Sequence, residues 1–272
     1  MSTAARGDVA QDAAPQDAAT AATTEQRLRY ALRLADTGLI LAQRLGEWVG
    51  HAPAIEEDLG LANIALDLLG QARLFLSYAG ELEGRGRNED ALAFLRAEAE
   101  FLNPTLAEQP NGDFADTIVR QFLIDAFRHE LFERLTDSAD PRLAEIAAKA
   151  LKETRYHLRY SSGWLVRLGD GTAESHARVQ ASLERLWPYT RELNDADELD
   201  RAMAAAGIGP QLAEVGAAWS KRVDAVLAAA TLHRPADVPF AWYGKQGRHS
   251  EHLGQLLSGM QYLQRAHPGA RW

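Results

Sequence analysis

Apolar residues recur at helical spacing along almost the whole chain. Leu28, Leu32, Leu39, Ala42, Leu45 and Val49 stand three, four or seven positions apart, which predicts a long amphipathic helix over residues 25–50. Gly50 and Pro53 stop it. A second stripe, Leu61, Ile64, Ala65, Leu68, Leu69, Ala72 and Leu76, predicts a helix over 54–80. Asn88 is a fitting N-cap for a shorter helix over 88–102. Two prolines and Asn111-Gly112 mark 103–112 as a loop. Asp113 caps a helix over 114–136, and Asp140-Pro141 opens another that reaches Leu168. Its stripe is Leu143, Ile146, Ala147, Ala150, Thr154, His157, Ser161, Trp164 and Leu168. Further helices are expected over 173–193, 197–206, 211–233 and 250–266. The segment 235–247 is aperiodic and aromatic, and is expected to wrap across the bundle. No stretch alternates with period two, so sheet is not expected.

The expected fold class is therefore all-α, a four-helix bundle with additional flanking helices. Residues 1–24 are rich in Ala, Gln, Thr and Asp, and read as a disordered tail before a single domain over 25–272. Composition narrows the functions. The 29 basic and 38 acidic residues leave a net charge of −9, which argues against nucleic acid and anionic membrane surfaces. The absence of cysteine removes disulfides, thiolate metal sites and a cysteine nucleophile. The longest run without a charged residue, 252–264, is 13 residues. A membrane helix needs about 20 apolar residues, so no span is expected. The first 24 residues carry no apolar signal segment, and a cytoplasmic protein is expected.

Chemistry in such a bundle comes from polar side chains on the apolar stripes. Glu47 lies near the end of the first helix. Asp67 and Gln71, Asp125 and His129, and Glu153 and His157 are three pairs at i, i+4. A di-iron carboxylate bundle takes a Glu from each of two helices and Glu-x-x-His from each of the other two. Here the second helix offers Leu68 and Gln71 in those places, and the later one offers Thr154 and His157, with Glu153 one residue off. Glu47, Asp125 and His157 keep a usable ligand type. The set reads as a buried polar network at degenerate metal positions, with an altered metal site as the alternative.

His249 and His252 flank Glu251, and read as a solvated helix start rather than half a metal site. Arg85, Arg87, Lys245, Arg248 and Arg265 read as solvated cations rather than anion contacts. Trp48, Trp164, Trp187, Trp219, Trp242 and Trp272 read as core or interface anchors. There is no Walker loop and no G-x-S-x-G elbow.

Five longer strings carry a family resemblance. They are LANIALDLLGQAR (61–73), YAGELEGRGRNEDALAFLR (78–96), EQPNGDFADTIVRQFL (108–123), KALKETRYHLRYSSGWLVRLGDGT (149–172) and GKQGRHSEHLGQLL (244–257). Through them the chain resembles the PaaC-like subunits of ring 1,2-phenylacetyl-CoA epoxidases. The resemblance implies a ferritin-like fold and a structural, non-catalytic chain with no cofactor of its own. It implies a homologous catalytic partner that holds the di-iron centre. It also implies a small bridging subunit and a reductase with flavin and iron–sulfur groups. The assembled enzyme would use NADPH and O₂ to epoxidise the ring of phenylacetyl-CoA. Two alternatives stay open. One is an active metalloenzyme using Glu47, Asp125, Glu153 and His157, and the other is a free-standing acyl-CoA-binding protein.

Overall fold

The computed structural model describes residues 14–239 and 241–270, with side chains from residue 24 onward. Four long helices make the frame: α1 (Ala14–Gly46), α2 (Ile55–Glu83), α4 (Phe114–Leu135) and α5 (Pro141–Gly169). Between them lies α3 (Glu89–Phe94). Five more helices follow: α6 (Ala173–Leu186), α7 (Thr190–Asn194), α8 (Glu198–Ala205), α9 (Leu212–Ala229) and α10 (Glu251–Ala266). Among the described residues there is no strand, only an isolated bridge between Tyr243 and Arg248.

The helix starts are set by local caps. Asp113 accepts from the Asp116 amide at 3.1 Å while Asp116 returns a bond to the Asp113 amide, a reciprocal capping box. Asp140 accepts from the amides of Arg142 and Leu143, with Pro141 at the first helical position. Asn88 caps α3 through the Ala91 amide.

α1 pairs with α2, and α4 with α5; α5 also lies against α2. Trp48, in the turn after α1, donates to Thr117 of α4 at 3.0 Å. The core runs through Leu39, Ile40 and Leu45, then Leu61, Leu68 and Phe75, then Ile118, Phe122 and Leu123, and Leu143 and Ile146. α6 and α9 pack on the outside of α4, so most of that helix is buried. α2 has no such cover. Ile55, Leu59, Leu66 and Leu69 on it are 72%, 60%, 66% and 42% exposed, so Leu69 does not belong to the inward stripe. α2 is long and apolar enough by composition to cross a membrane. Here it is a core helix, packed on α1 and α5.

Several boundaries differ from expectation. α1 begins at Ala14 rather than near residue 25, because its alanine-rich approach favours helix; the rest of the expected tail, 1–13, lies outside the described residues. The expected helix 88–102 shortens to α3 and a 3₁₀ turn, Glu98–Glu100. The loop after it is buried from Phe101 to Gln109. A buried loop needs partners for its backbone, and charged side chains supply them. Leu102 donates to Asp36, Thr105 donates to Glu192, Arg44 binds the Glu108 carbonyl and Arg120 the Gln109 carbonyl.

Gly244 and Gly247, in the segment expected to wrap across the bundle, lie against this buried loop and the turn before it. A Cβ on Gly244 would lie 2.5 Å from the Asn103 carbonyl oxygen, and one on Gly247 2.3 Å from that of Ala99. Gly247 also has φ +80°, so both positions need glycine.

Candidate functional site

The centre of the bundle gathers polar side chains from α2, α4 and α5. Gln71 on α2 donates Nε2 to Glu153 Oε2 on α5 at 2.8 Å. Its Oε1 accepts from Arg128 Nη2 on α4. Arg128 is buried and lies over the Phe132 ring, 5.0 Å from its centroid. Burial pushes the guanidinium down to about 10, against the opposing pull of Asp125 and Glu153. It still carries its charge at neutral pH.

Asp125, 1% exposed, accepts from Ser161 Oγ at 2.8 Å. Burial pushes its carboxyl up to about 7, opposed by Ser161 and by the charges of Arg128 and Arg120. His157 Nε2 lies 3.1 Å from Asp67 Oδ2. Burial holds this imidazole well below its usual range, more than the bond to Asp67 raises it. The neutral ring therefore gives its Nε2 hydrogen to Asp67.

Five of the six expected positions meet here: Asp67, Gln71, Asp125, Glu153 and His157. Glu47 does not. α1 ends at Gly46, so Glu47 falls in the following turn, pairs with Arg44 at 2.9 Å and Asn111 at 3.0 Å, and is 44% exposed in its side chain. Nor does His129 join Asp125. Its ring lies 3.5 Å from Glu130 instead. Donor atoms of His129, Glu130 and Glu133 lie within metal reach of one another. Glu130, however, accepts from Arg222 at 2.8 Å and Arg134 at 3.0 Å, so its charge is already balanced.

Arg128 is the residue that spacing did not reveal. It sits three positions after Asp125, on the same face. The clue was a cation amid Phe127, Leu131 and Phe132; long cations usually reach solvent from such places. Opposite it, α1 presents Gly38, where a Cβ would lie 3.4 Å from Arg128 Nη1.

This donor set does not fit a di-iron centre. Two ferrous ions need about four carboxylates plus imidazoles to balance charge. The bundle centre instead holds a guanidinium whose carboxamide bridge to Glu153 occupies that carboxylate.

The remaining candidates sort out plainly. His249 is not at a solvated helix start. Its ring is buried, with Nδ1 2.8 Å from Glu108 Oε2 and Nε2 2.8 Å from the Phe101 carbonyl oxygen. His252 stays partly exposed, 4.0 Å from Glu251. Lys245 is buried and bound to Asp200 at 2.8 Å and the Asp195 carbonyl at 2.9 Å. Arg87 pairs with Glu83, and Arg265 binds the carbonyls of Phe94 and Arg96. Arg85 and Arg248 are exposed, Arg248 lying 4.7 Å over the Tyr243 ring. Trp187 and Trp219 meet in the core, and Trp48 and Trp164 both pack edge-on against Phe114. Trp242 stacks on Tyr189, and Trp272 lies outside the described residues.

The fold is that of an all-α, ferritin-like bundle. A solved structure with which it aligns is a protein with aldehyde deformylating oxidase activity from Synechococcus. The TM-score is 0.53 at 18% identity, over 89% of this chain and 97% of that one, a likeness of fold alone. The chain belongs to the family described as phenylacetic acid catabolic protein, whose model matches residues 1–272. It is 56% identical over 247 residues to a subunit of the 1,2-phenylacetyl-CoA epoxidase of Escherichia coli (strain K12), covering 91% of this chain and 99% of that relative.

Proposed function

We propose that this chain is the non-catalytic subunit of a multicomponent monooxygenase that epoxidises the ring of phenylacetyl-CoA in the cytoplasm. A homologous partner would hold the di-iron centre, a small subunit would bridge, and a reductase with flavin and iron–sulfur groups would deliver electrons from NADPH. The observation that carries the reading is Arg128. A charged guanidinium at the bundle centre, tied through Gln71 to Glu153, supports it, because a metal cation beside it would meet like charge.

The exposed row on α2 supports the partner. Ile55, Leu59, Leu66 and Leu69 form an apolar surface of the kind that protein partners bury. The reading makes this the docking face for the catalytic partner. Coexpression with that partner, affinity capture and an iron count per chain tests it. All iron should travel with the partner, and Leu66→Asp should abolish capture without loss of folding. Iron retained by this chain after separation, or capture unaffected by Leu66→Asp and Leu69→Asp together, would overturn the reading.

A further inference from the structure

The polar atoms at the bundle centre do not satisfy one another. Asp125 Oδ1, Thr154 Oγ1, His157 Nδ1, and Nε and Nη1 of Arg128 have no protein hydrogen-bond partner. All four residues are 3% exposed or less. They lie on the buried stripes of α4 and α5. Ser161 Oγ, bonded to Asp125 Oδ2 at 2.8 Å and to the His157 carbonyl at 3.0 Å, joins Asp125 to His157. Thr154 is on the same buried stripe of α5 as His157, and the charge of Arg128 acts on both Asp125 and His157.

The chemistry of these atoms selects the ligand. His157 gives its Nε2 hydrogen to Asp67, so its Nδ1 is a lone pair. Asp125 Oδ1 is an acceptor when ionised. Arg128 Nε and Nη1 can only donate, and the Thr154 hydroxyl can do either. A metal cation placed here would face the guanidinium. An anion would face the lone pairs of Asp125 and His157. A small neutral molecule that both donates and accepts suits all of them, and buried water takes about three such bonds. Gly38 keeps the α1 side beside Arg128 Nη1 free of a side chain.

We propose that the bundle centre is a water-binding site, with at least one molecule held between α4 and α5 by Asp125, His157, Arg128 and Thr154. The water completes the polar plug that fills the place of a metal. Asp67, whose side chain is 39% exposed on α2, is the point at which this cluster reaches the surface.

A crystal structure of the whole chain at a resolution that shows ordered water tests this directly. The expected result is a water peak within hydrogen-bond distance of at least two of the four side chains. Oxygen-17 relaxation dispersion gives a second readout in solution. The long-lived water contribution should be lost in His157→Phe and weakened in Thr154→Val, both checked for folding by circular dichroism. A dry centre with these atoms paired to each other, or dispersion unchanged in both variants, would overturn the water site and leave the non-catalytic reading standing. A metal peak there would overturn both.

Discussion

His157 and His249 are both sealed from solvent, with side-chain exposures of 0%, yet their imidazoles are shifted in opposite directions. His157 meets a single carboxylate, Asp67, whose side chain is 39% exposed and therefore well hydrated. Burial wins and the ring is neutral. His249 meets Glu108, which is fully buried, and a backbone carbonyl on its other side. Both ring nitrogens face acceptors, so both carry hydrogen. Burial opposes that charge, but Glu108, the Phe101 carbonyl and the more distant Glu192 together raise the imidazole above its usual range. The lesson is that burial alone does not set a histidine's charge; what decides is whether its partner is as desolvated as it is.

The two sites also differ in completeness. Both Glu108 oxygens are used: Oε1 accepts from the Ser250 amide, and Oε2 from Asn103 and His249. This clamp fastens the 235–250 segment to the buried loop. The bundle centre leaves several atoms without a protein partner. Substitutions should therefore hurt more at the clamp.

Glu108→Ala should have the largest effect. It leaves the His249 cation buried and three donors unmet, a loss of about 3–5 kcal/mol. Urea denaturation measures it, and a loss no greater than that for Asp125→Asn would break the comparison. Next comes pH. His249 has a raised folded value, so its stabilisation is complete below about pH 6.5, its unfolded value, and fades as pH rises through the folded value. Asp125 acts in the same direction. Its stabilisation is present below about pH 3.9, the unfolded value, and declines up to its folded value of about 7. His157 acts in the opposite sense, losing stability as pH falls below about 6.5. Stability of the unaltered chain should thus drop as pH rises above about 6.5 through the raised folded value of His249, and His249→Gln should flatten that drop. An unchanged slope would mean that His249 is not charged.

The smallest effect belongs to Asp125→Asn. Its carboxyl already takes up a proton near neutrality, and Ser161 can still donate to the amide oxygen. The cost should be about 1 kcal/mol or less, with the slope of stability against pH altered on the acid side of neutrality. A loss as large as that of Glu108→Ala would mean that Asp125 is a fully committed ion-pair partner.

How far these features could be read in advance follows from their range along the chain. The four frame helices, and the caps of α4 and α5, were legible because each depends on residues three or four apart. Gln71 and His157 were legible for the same reason, since the stripes of α2 and α5 point them inward, with Asp67 and Glu153 one turn before them. Glu47 misled because a helix ending one residue earlier turns it to solvent. The burial of 101–109 was not legible, because Asp36, Arg44, Arg120 and Glu192 come from distant helices to serve its backbone. His249 was misjudged on the same ground: its partner lies 141 residues away. Arg128 was hidden by a general rule about long cations that this bundle breaks.

The central claim is that Arg128 and Gln71 have taken the place of a metal pair. Anaerobic loading of the isolated chain with Fe(II), followed by desalting and metal analysis, tests it most directly. The account predicts no stoichiometric iron, both in the unaltered chain and after prolonged incubation. Two irons per chain, lost on His157→Ala with the fold intact, would contradict it.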